Sequence, residues 1–360
     1  MKKILIIHNS YKNLGGEDIA VRNEISFLKE HFEVDTLLFS NSKFLSTQNL
    51  IAFFSTSNRS SNKILFEKIQ DFKPDFAYVH NSWFNASLGI FKVLERNNVD
   101  ILLKLHNFRY FCTRSIFSSD HFGEGKVCQA CGSKKEDQGY FNKYYEESRL
   151  KSMLVAIYGK RYFKLIKNFK MKVLVLTNFH KNFLNKLSIE SDKVAVFPNY
   201  IEFEGKTRNN NKKNHIVYAG RISEEKGVKE LIQSFLMANN PRNVELDIIG
   251  IGPQLSYLKK EYTHPLINFM GGIQNEKVLE IISTALAVVT ATKMFEGQPT
   301  LLCEASTLSI PSIFPNSGGI SEFFPQDYPL SFEQFNYEDL TNKIEFILET
   351  ENSKDIGKEN

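Results

Sequence analysis

The chain of 360 residues is poor in cysteine, tryptophan and long apolar runs, with four Cys, at 112, 128, 131 and 303, and one Trp. Four thiols in a chain of this length cannot form a disulfide scaffold and point to a reducing compartment. No apolar run approaches the roughly 18 residues that a membrane-spanning helix needs. The opening Met-Lys-Lys-Ile-Leu-Ile-Ile-His has only a short apolar run before His8, less than a signal-peptide core requires. The expected location is therefore cytoplasmic. Also missing is a Walker loop, since no glycine run is followed by Gly-Lys-Ser/Thr. Charge is balanced overall, 45 Lys and Arg against 41 Asp and Glu, and 42% of residues are hydrophobic. That balance excludes a disordered or fibrous chain. At about 150 residues per domain the length implies two or three domains, too much for a minimal binding module.

The charge is unevenly divided. Residues 1–190 hold 29 Lys and Arg against 18 Asp and Glu, net +11, which leaves net −7 for the remainder. Such a split predicts two separately surfaced domains, the first facing something anionic. Much of the excess lies in residues 151–172, KSMLVAIYGKRYFKLIKNFKMK, with seven basic residues and no acid. There Leu154, Ile157, Tyr158, Tyr162, Leu165, Ile166 and Phe169 recur at spacings of three and four, an apolar helical face beside a basic one. The pattern fits a helix packed on its own domain with a solvated basic side. It also fits a surface that adheres to an anionic membrane. Nucleic acid is not expected as a partner, because no recognition motif accompanies the charge.

Apolar runs alternate with helical periodicity along the chain. Strands are predicted at Lys3–His8, Val34–Phe39, Phe76–His80, Ile101–His106 and Val173–Thr177, with helical stretches at Ile19–Leu28, Leu65–Phe72 and Ile90–Asn97. Around 202–214 (EFEGKTRNNNKKN) apolar residues nearly vanish, as in an exposed connection. The alternation then restarts, with strands at His215–Ala219, Glu245–Ile249, Ile267–Met270, Leu286–Ala291 and Pro311–Phe314. The expected class is α/β: a first doubly wound domain over 1–200, a linker over 201–214, a second over 215–350 and a polar tail over 351–360. Ligands of such folds bind at the carboxyl ends of the strands, here in a cleft between the two domains.

The densest cluster of chemistry is Phe295-Glu296-Gly297-Gln298-Pro299-Thr300-Leu301-Leu302-Cys303-Glu304, followed by Ser317-Gly318-Gly319-Ile320-Ser321-Glu322. Two carboxylates could suggest a glycosidase pair. Eight residues on a continuous helix rise about 12 Å, however, and Pro299 suits a first helical turn, which puts Glu296 in a loop and Glu304 in the second turn. Unpaired N–H groups at that helix start suit an anion, and carboxylates accept hydrogen bonds from the hydroxyls of a sugar or ribose. A second cluster, Gly220-Arg221-Ile222-Ser223-Glu224-Glu225-Lys226-Gly227, follows a strand directly, and Arg221 with Lys226 matches the charge of a diphosphate. In the first domain Gly15-Gly16 opens a helix and offers backbone N–H groups. His80-Asn81 and His106-Asn107 each close a strand.

Taken in order, Gly-Gly-Glu after the first strand, Leu105-His106-Asn107, Phe197-Pro198-Asn199, the Gly-Arg…Lys-Gly loop, Ile249-Gly250-Ile251-Gly252-Pro253, the Glu-x7-Glu stretch and Ser-Gly-Gly-x-x-Glu resemble family-four retaining glycosyltransferases of GT-B fold. The resemblance covers roughly residues 1–350. It implies two Rossmann-like domains facing each other across a cleft, a nucleotide-diphospho-sugar donor held mainly by the second domain, and a glycan or lipid-linked acceptor held mainly by the first. It implies that Arg221 and Lys226 neutralise the diphosphate, Glu304 binds the ribose and Glu296 contacts the donor sugar. Gly297, Pro299 and Thr300 belong to the same donor-binding stretch, Gly16 beside Gly15 approaches the phosphates, and His106 lines the sugar site. It further implies retention of anomeric configuration, with leaving-group charge stabilisation as the main electrostatic work and no catalytic metal. Gln298 stands where the family commonly has an aromatic or apolar residue, and Ser309 where it usually has Gly. A nucleotide-sugar epimerase or isomerase of the same architecture, and a catalytically silent nucleotide-sugar-binding protein, are the alternatives.

Cys128-x2-Cys131 has the pair spacing of a zinc knuckle, with Cys112 upstream and His121 the nearest fourth ligand. Some family members carry a similar His-Asn-Phe-Arg…Cys…Cys-x2-Cys insertion, which implies a structural zinc on Cys112, Cys128 and Cys131. Reduced, unliganded thiols are the first reading of these cysteines, and the zinc site is the alternative to it. Cys303 reads as a small buried hydrophobe.

Overall fold

The computed structural model describes residues 1–10, 16–40, 55–83, 85–108, 125–132, 148–201, 213–349 and 354–358. The chain divides into two compact units, Met1–Glu202 and Phe203–Asn360. Each is a parallel sheet covered by helices.

In the first unit β1 (Lys3–Ser10), α1 (Gly16–Lys29), β2 (Glu33–Ser40), α2 (Arg59–Phe72), β3 (Phe76–Asn81), α3 (Gly89–Arg96), β4 (Asp100–Leu105), α4 (Arg149–Asn168), β5 (Lys172–Val175), α5 (Asn178–Lys186) and β6 (Val194–Val196) follow one another. The sheet order is β2-β1-β3-β4-β5-β6, with all pairs parallel. Strands buried on both faces read as unbroken apolar runs. In β1, Leu5 and Ile7 join the larger core with Val79, Leu103 and Val173, while Ile4 and Ile6 turn to the opposite face beside Tyr78 and Val21 of α1. The order reverses between β1 and β3, the switch point at which such sheets bind ligands.

The second unit contains β7 (His215–Ala219), α6 (Val228–Met237), β8 (Glu245–Ile249), α7 (Leu255–Glu261), β9 (Ile267–Gly271), α8 (Asn275–Thr284), β10 (Ala287–Val289), α9 (Thr300–Thr307), β11 (Ser312–Asn316), β12 (Ser331–Glu333), α10 (Tyr337–Glu349) and α11 (Lys354–Lys358). Its order, β12-β11-β10-β7-β8-β9, places the switch between β10 and β7. One core holds it together, with Val217, Leu246, Val288, Ile313 and Phe314 from the sheet and Leu231, Ile282, Leu302 and Ile344 from the helices.

Three elements differ from the sequence reading. The strand expected to reach Thr177 stops at Val175, because the Thr177 hydroxyl accepts the His180 N–H (3.2 Å) and caps α5. The basic helix stops at Asn168, since the run from Lys172 to Val175 pairs with β4. Within the segment expected as a polar tail, Lys354–Lys358 is helical. Ile356 packs on the second core, and a Cβ on Gly357 would lie 2.2 Å from Ser309 O. Most of the segment expected as a linker, 202–212, lies outside the described residues. Among the described residues several Phe side chains serve packing. Phe108, Phe179 and Phe183 cluster with His180, and Phe314 and Phe324 cluster with Tyr328.

Candidate functional site

In the second unit the residues singled out by sequence gather on loops at the carboxyl ends of β7, β10 and β11. A short 3-10 turn, Glu224–Lys226, follows β7 and ends in Gly227 with φ +68°. A Cβ at Gly227 would lie 1.9 Å from Ala291 O, so glycine alone lets this turn press against the end of β10. Lys293 N donates to Glu225 O (2.9 Å), and Lys293 Nζ pairs with Glu230 Oε1 (2.8 Å), which fastens the two loops together. The result is an ion pair at the switch point, with Lys226 Nζ 2.5 Å from Glu296 Oε1. Thr292 donates to the same oxygen at 3.1 Å. The Ser-Gly-Gly turn supports the backbone of Glu296 from behind. Gly319 N donates to Glu296 O (2.8 Å), and Gly318, at φ +63°, would bring a Cβ to 2.5 Å from that oxygen.

Arg221 is exposed one residue beyond Gly220, its carbonyl accepting the Tyr218 hydroxyl at 2.8 Å. Gly297 is buried, while Pro299 is the N-cap residue of α9 and Thr300 its first residue. Glu304 stands in the second turn of α9, half-buried, with Asn275 Nδ2 3.4 Å from Oε1. Burial pushes its carboxyl above the ordinary range, against the smaller downward pull of Asn275. Burial likewise pushes the neighbouring Cys303 thiol up to about 12, so it is protonated and inert at neutral pH. Lys226 and Glu296 therefore form one centre, with Arg221 on the same loop as Lys226, while Glu304 stands on the helix that follows.

The first unit brings together a cluster that sequence reading found only in part. Residues alternate across a strand, so Tyr78 and His80 of β3 share a face, as do Leu102 and Lys104 of β4. Ile4, Tyr78 and Leu102 fill the apolar lower part of the face that packs on α1. Above them the row turns polar. Glu24 of α1, buried, accepts from Lys104 Nζ and from the Tyr78 hydroxyl (2.8 Å), and its Oε2 lies 3.7 Å from His80 Nε2. Lys104 also donates to Pro198 O (3.3 Å), and its ammonium sits 5.1 Å from the centre of the Phe197 ring. His8 Nε2 lies 3.0 Å from Asp18 Oδ1. His80 Nδ1 is 3.1 Å from His106 Nε2. Burial holds both imidazoles well below the usual histidine range, and Lys104 adds to this, so both are neutral at pH 7. His106, just past β4, is half-buried, and Gly16 opens α1. Gly15 lies outside the described residues.

Sequence reading missed Glu24 and Lys104, yet each left a signal. A lysine in the strand run Ile-Leu-Leu-Lys-Leu interrupts an otherwise apolar strand, and Glu24 sits three and four residues from Val21 and Leu28 on the apolar face of its helix.

Cys128 and Cys131 lie on one turn, with Cys131 N 3.3 Å and Gly132 N 2.8 Å from Cys128 O. Cys112 and His121 fall outside the described residues. Among the described residues no three His, Cys, Asp or Glu side chains converge to hold a metal. A cavity of about 410 Å³ opens at the opposite, amino-terminal end of the second sheet. There His215 bridges Asp247 (2.6 Å) and Thr284 (3.2 Å), joining the starts of β7 and β8 to α8.

Comparison with known proteins agrees with this architecture. Residues 199–360 match the family model described as glycosyl transferases group 1. The GPI3 subunit of phosphatidylinositol N-acetylglucosaminyltransferase from Saccharomyces cerevisiae is 24% identical over 197 residues, covering 49% of this chain and 43% of that protein. The chain thus matches under half the length of this curated relative. Among solved structures, Anabaena HepE in complex with UDP and glucose superposes with TM-score 0.69 at 14% identity, over 100% of this chain and 93% of that one. Sucrose-phosphate synthase from Thermosynechococcus elongatus gives 0.69 at 15%, with the same coverage. WaaG, a glycosyltransferase of lipopolysaccharide biosynthesis, gives 0.66 at 12%, over 98% and 92%. The chain has the GT-B fold of two Rossmann-like domains, and its second unit is similar to the glycosyl transferases group 1 family over residues 199–360.

Proposed function

We propose that this chain is a retaining glycosyltransferase that moves a sugar from a nucleotide diphosphate to a hydroxyl of a glycan or lipid-linked acceptor in surface polysaccharide synthesis. The observation that carries this reading is the Lys226–Glu296 pair at the switch point of the second sheet, with Arg221 exposed on the same loop. An incoming diphosphate competes for the Lys226 ammonium, and Arg221 adds bidentate donors. Glu296, released from Lys226, then accepts hydrogen bonds from sugar hydroxyls, and Glu304 accepts those of the ribose. In the transfer, the bond from the anomeric carbon to the diphosphate oxygen breaks. A bond from that carbon to the acceptor oxygen forms on the same face, and the acceptor proton passes to the departing diphosphate. Negative charge grows on the leaving group, so Lys226 and Arg221 stabilise the transition state more than the ground state. The likeness to HepE, whose structures hold UDP and UDP-glucose, supports such a donor.

A place on the cytoplasmic face of the membrane belongs to the same proposal. It is supported by α4, whose Leu154, Tyr158, Leu165 and Ile166 are buried while Lys160, Arg161, Lys164 and Lys167 are exposed. At about 1 kcal/mol per basic residue near an anionic surface, this face favours vesicles containing phosphatidylserine over pure phosphatidylcholine, and salt weakens the difference. Sedimentation with the two vesicle types reads it, and equal partition contradicts the membrane reading. A structural zinc on Cys112, Cys128 and Cys131 is supported by the shared turn of the last two, and metal analysis of the purified protein decides it.

The functional reading is tested by incubating the full chain with UDP-, GDP-, ADP- and TDP-sugars and a hydroxyl acceptor, and by determining the anomeric configuration of the product by NMR. Transfer with retention is expected. Inversion, or interconversion of the donor sugar without transfer, overturns it.

A further inference from the structure

The first unit holds an arrangement that the donor chemistry does not use. β1 and β3 pair in register from Ile4 with Phe76 to Ile7 with Val79, and then His8 pairs with Asn81. The register shifts at His80, whose ring stays on the face of Tyr78 with the two ring centroids 4.2 Å apart. The His80 ring lies between two groups. Its Nδ1 is 3.1 Å from His106 Nε2, and its Nε2, buried and without a hydrogen-bond partner, faces Glu24 Oε2 at 3.7 Å.

One proton lies between the two rings, and its owner decides the character of both. If His80 carried it on Nδ1, its bare Nε2 would turn a lone pair toward the Glu24 carboxylate, lone pair against negative charge. If His80 carries its proton on Nε2, that N–H points at the carboxylate, and Nδ1 becomes an acceptor that only an Nε2–H of His106 can satisfy. Glu24 is itself fixed, because Lys104 holds one of its oxygens and the Tyr78 hydroxyl the other.

We propose that His80, oriented by Glu24, is a positioning residue for His106, holding that ring with its hydrogen on Nε2 and its lone pair on Nδ1 to accept a hydrogen bond from a ligand hydroxyl. This rests on the reading that His106 lines the sugar site. The chemical class of the ligand is therefore an O–H donor, a hydroxyl of the transferred sugar or of the acceptor. His106 is not a cation and does not contact phosphate.

The test is 15N NMR of the full chain labelled in histidine, at pH 7.5, together with steady-state kinetics. In the parent protein His106 shows a protonated Nε2 and an unprotonated Nδ1; a proton on Nδ1 overturns the proposal. His80→Leu removes the acceptor and lowers kcat about tenfold or more, with the KM for donor changed by less than about threefold. His80→Asn, whose amide oxygen reaches the place of Nδ1 and whose amide hydrogens face Glu24, restores most of kcat and the Nε2–H form. An unchanged kcat in His80→Leu with intact fold also overturns it. No transfer by the parent protein, with the tautomer as expected, overturns the functional reading and the sugar hydroxyl with it, while supporting the orientation of His106 through His80.

Discussion

At the scale of single residues, the buried charges of the first unit matter most. Lys104 is 0% and Glu24 2% exposed, and each gives the other its opposite charge. Removing one member of such a pair strands the second in low dielectric, typically at 3 kcal/mol or more. Lys104→Ala is expected to destabilise the protein by about 3 kcal/mol in chemical denaturation. A loss below about 1 kcal/mol would show that water reaches Glu24. The proposed donor site is expected to behave differently, because Lys226 and Glu296 are partly exposed and such a pair adds little to stability. Lys226→Ala or Glu296→Gln is expected to lower transfer by about 100-fold or more while leaving the melting temperature nearly unchanged. Equal transfer rates would remove both residues from the site. Arg221, Lys226, Glu296 and Glu304 could be named from sequence because their spacing is local to two loops. Glu24, His80 and His106 could not be joined, because residues 24, 80 and 106 meet only through the parallel crossovers that place β1, β3 and β4 side by side.

At the scale of elements, loops that must touch backbone to backbone set the position of the site. Gly227 and Gly271 have nearly the same backbone angle, φ +68° and +71°, but a Cβ at Gly271 meets nothing within 4 Å while one at Gly227 meets Ala291 O. Gly271→Ala is therefore expected to cost about 1 kcal/mol, the strain of a left-handed alanine alone. Gly227→Ala is expected to cost clearly more, and to reduce transfer by pushing Lys226 away from Glu296. Equal losses of stability in the two variants would show that the close approach to β10 does not matter. The long apolar strands and amphipathic helices were legible from periodicity alone. α5, β6 and β12 were not. β6 and β12 are three-residue edge strands, and α5 begins at a threonine that continues the strand pattern until its hydroxyl turns back to cap the helix.

At the scale of the whole molecule, the two units differ in their response to acid. His80, His106 and His180 all lie in the first unit, and burial holds each below the usual histidine value, His180 at about 3. Below about 6.5 the unfolded chain binds protons that the folded one does not, so the stability of this unit falls as pH drops below about 6.5. The second unit instead has Asp247. Burial alone would raise this carboxyl, but His215 and Asn268 outweigh it and hold it below the usual aspartate value. Its stabilising contribution is present above about pH 4 and is lost only as pH falls further. Hydrogen exchange at pH 7.5 and 5 is expected to show opening in Met1–Glu202 before Phe203–Asn360, and His180→Phe should reduce the difference. The reverse order would contradict the assignment of neutral buried histidines. The charge split between the halves, net +11 and −7, was visible in the sequence, whereas the acid response depends on which histidines are buried, and composition does not contain that.

The loops after β7 and β10 are proposed here as a nucleotide-diphosphate site. Calorimetric titration of UDP, GDP, ADP and TDP into the full chain, and into its Arg221→Ala, Lys226→Ala double variant, tests it most directly. Two charge-assisted contacts at about 1.5 kcal/mol each correspond to a loss of roughly 100-fold. Binding of one of these diphosphates by the parent protein is expected, with affinity reduced by at least that factor in the double variant. Equal affinity in both proteins, or binding of none of the four, would contradict it.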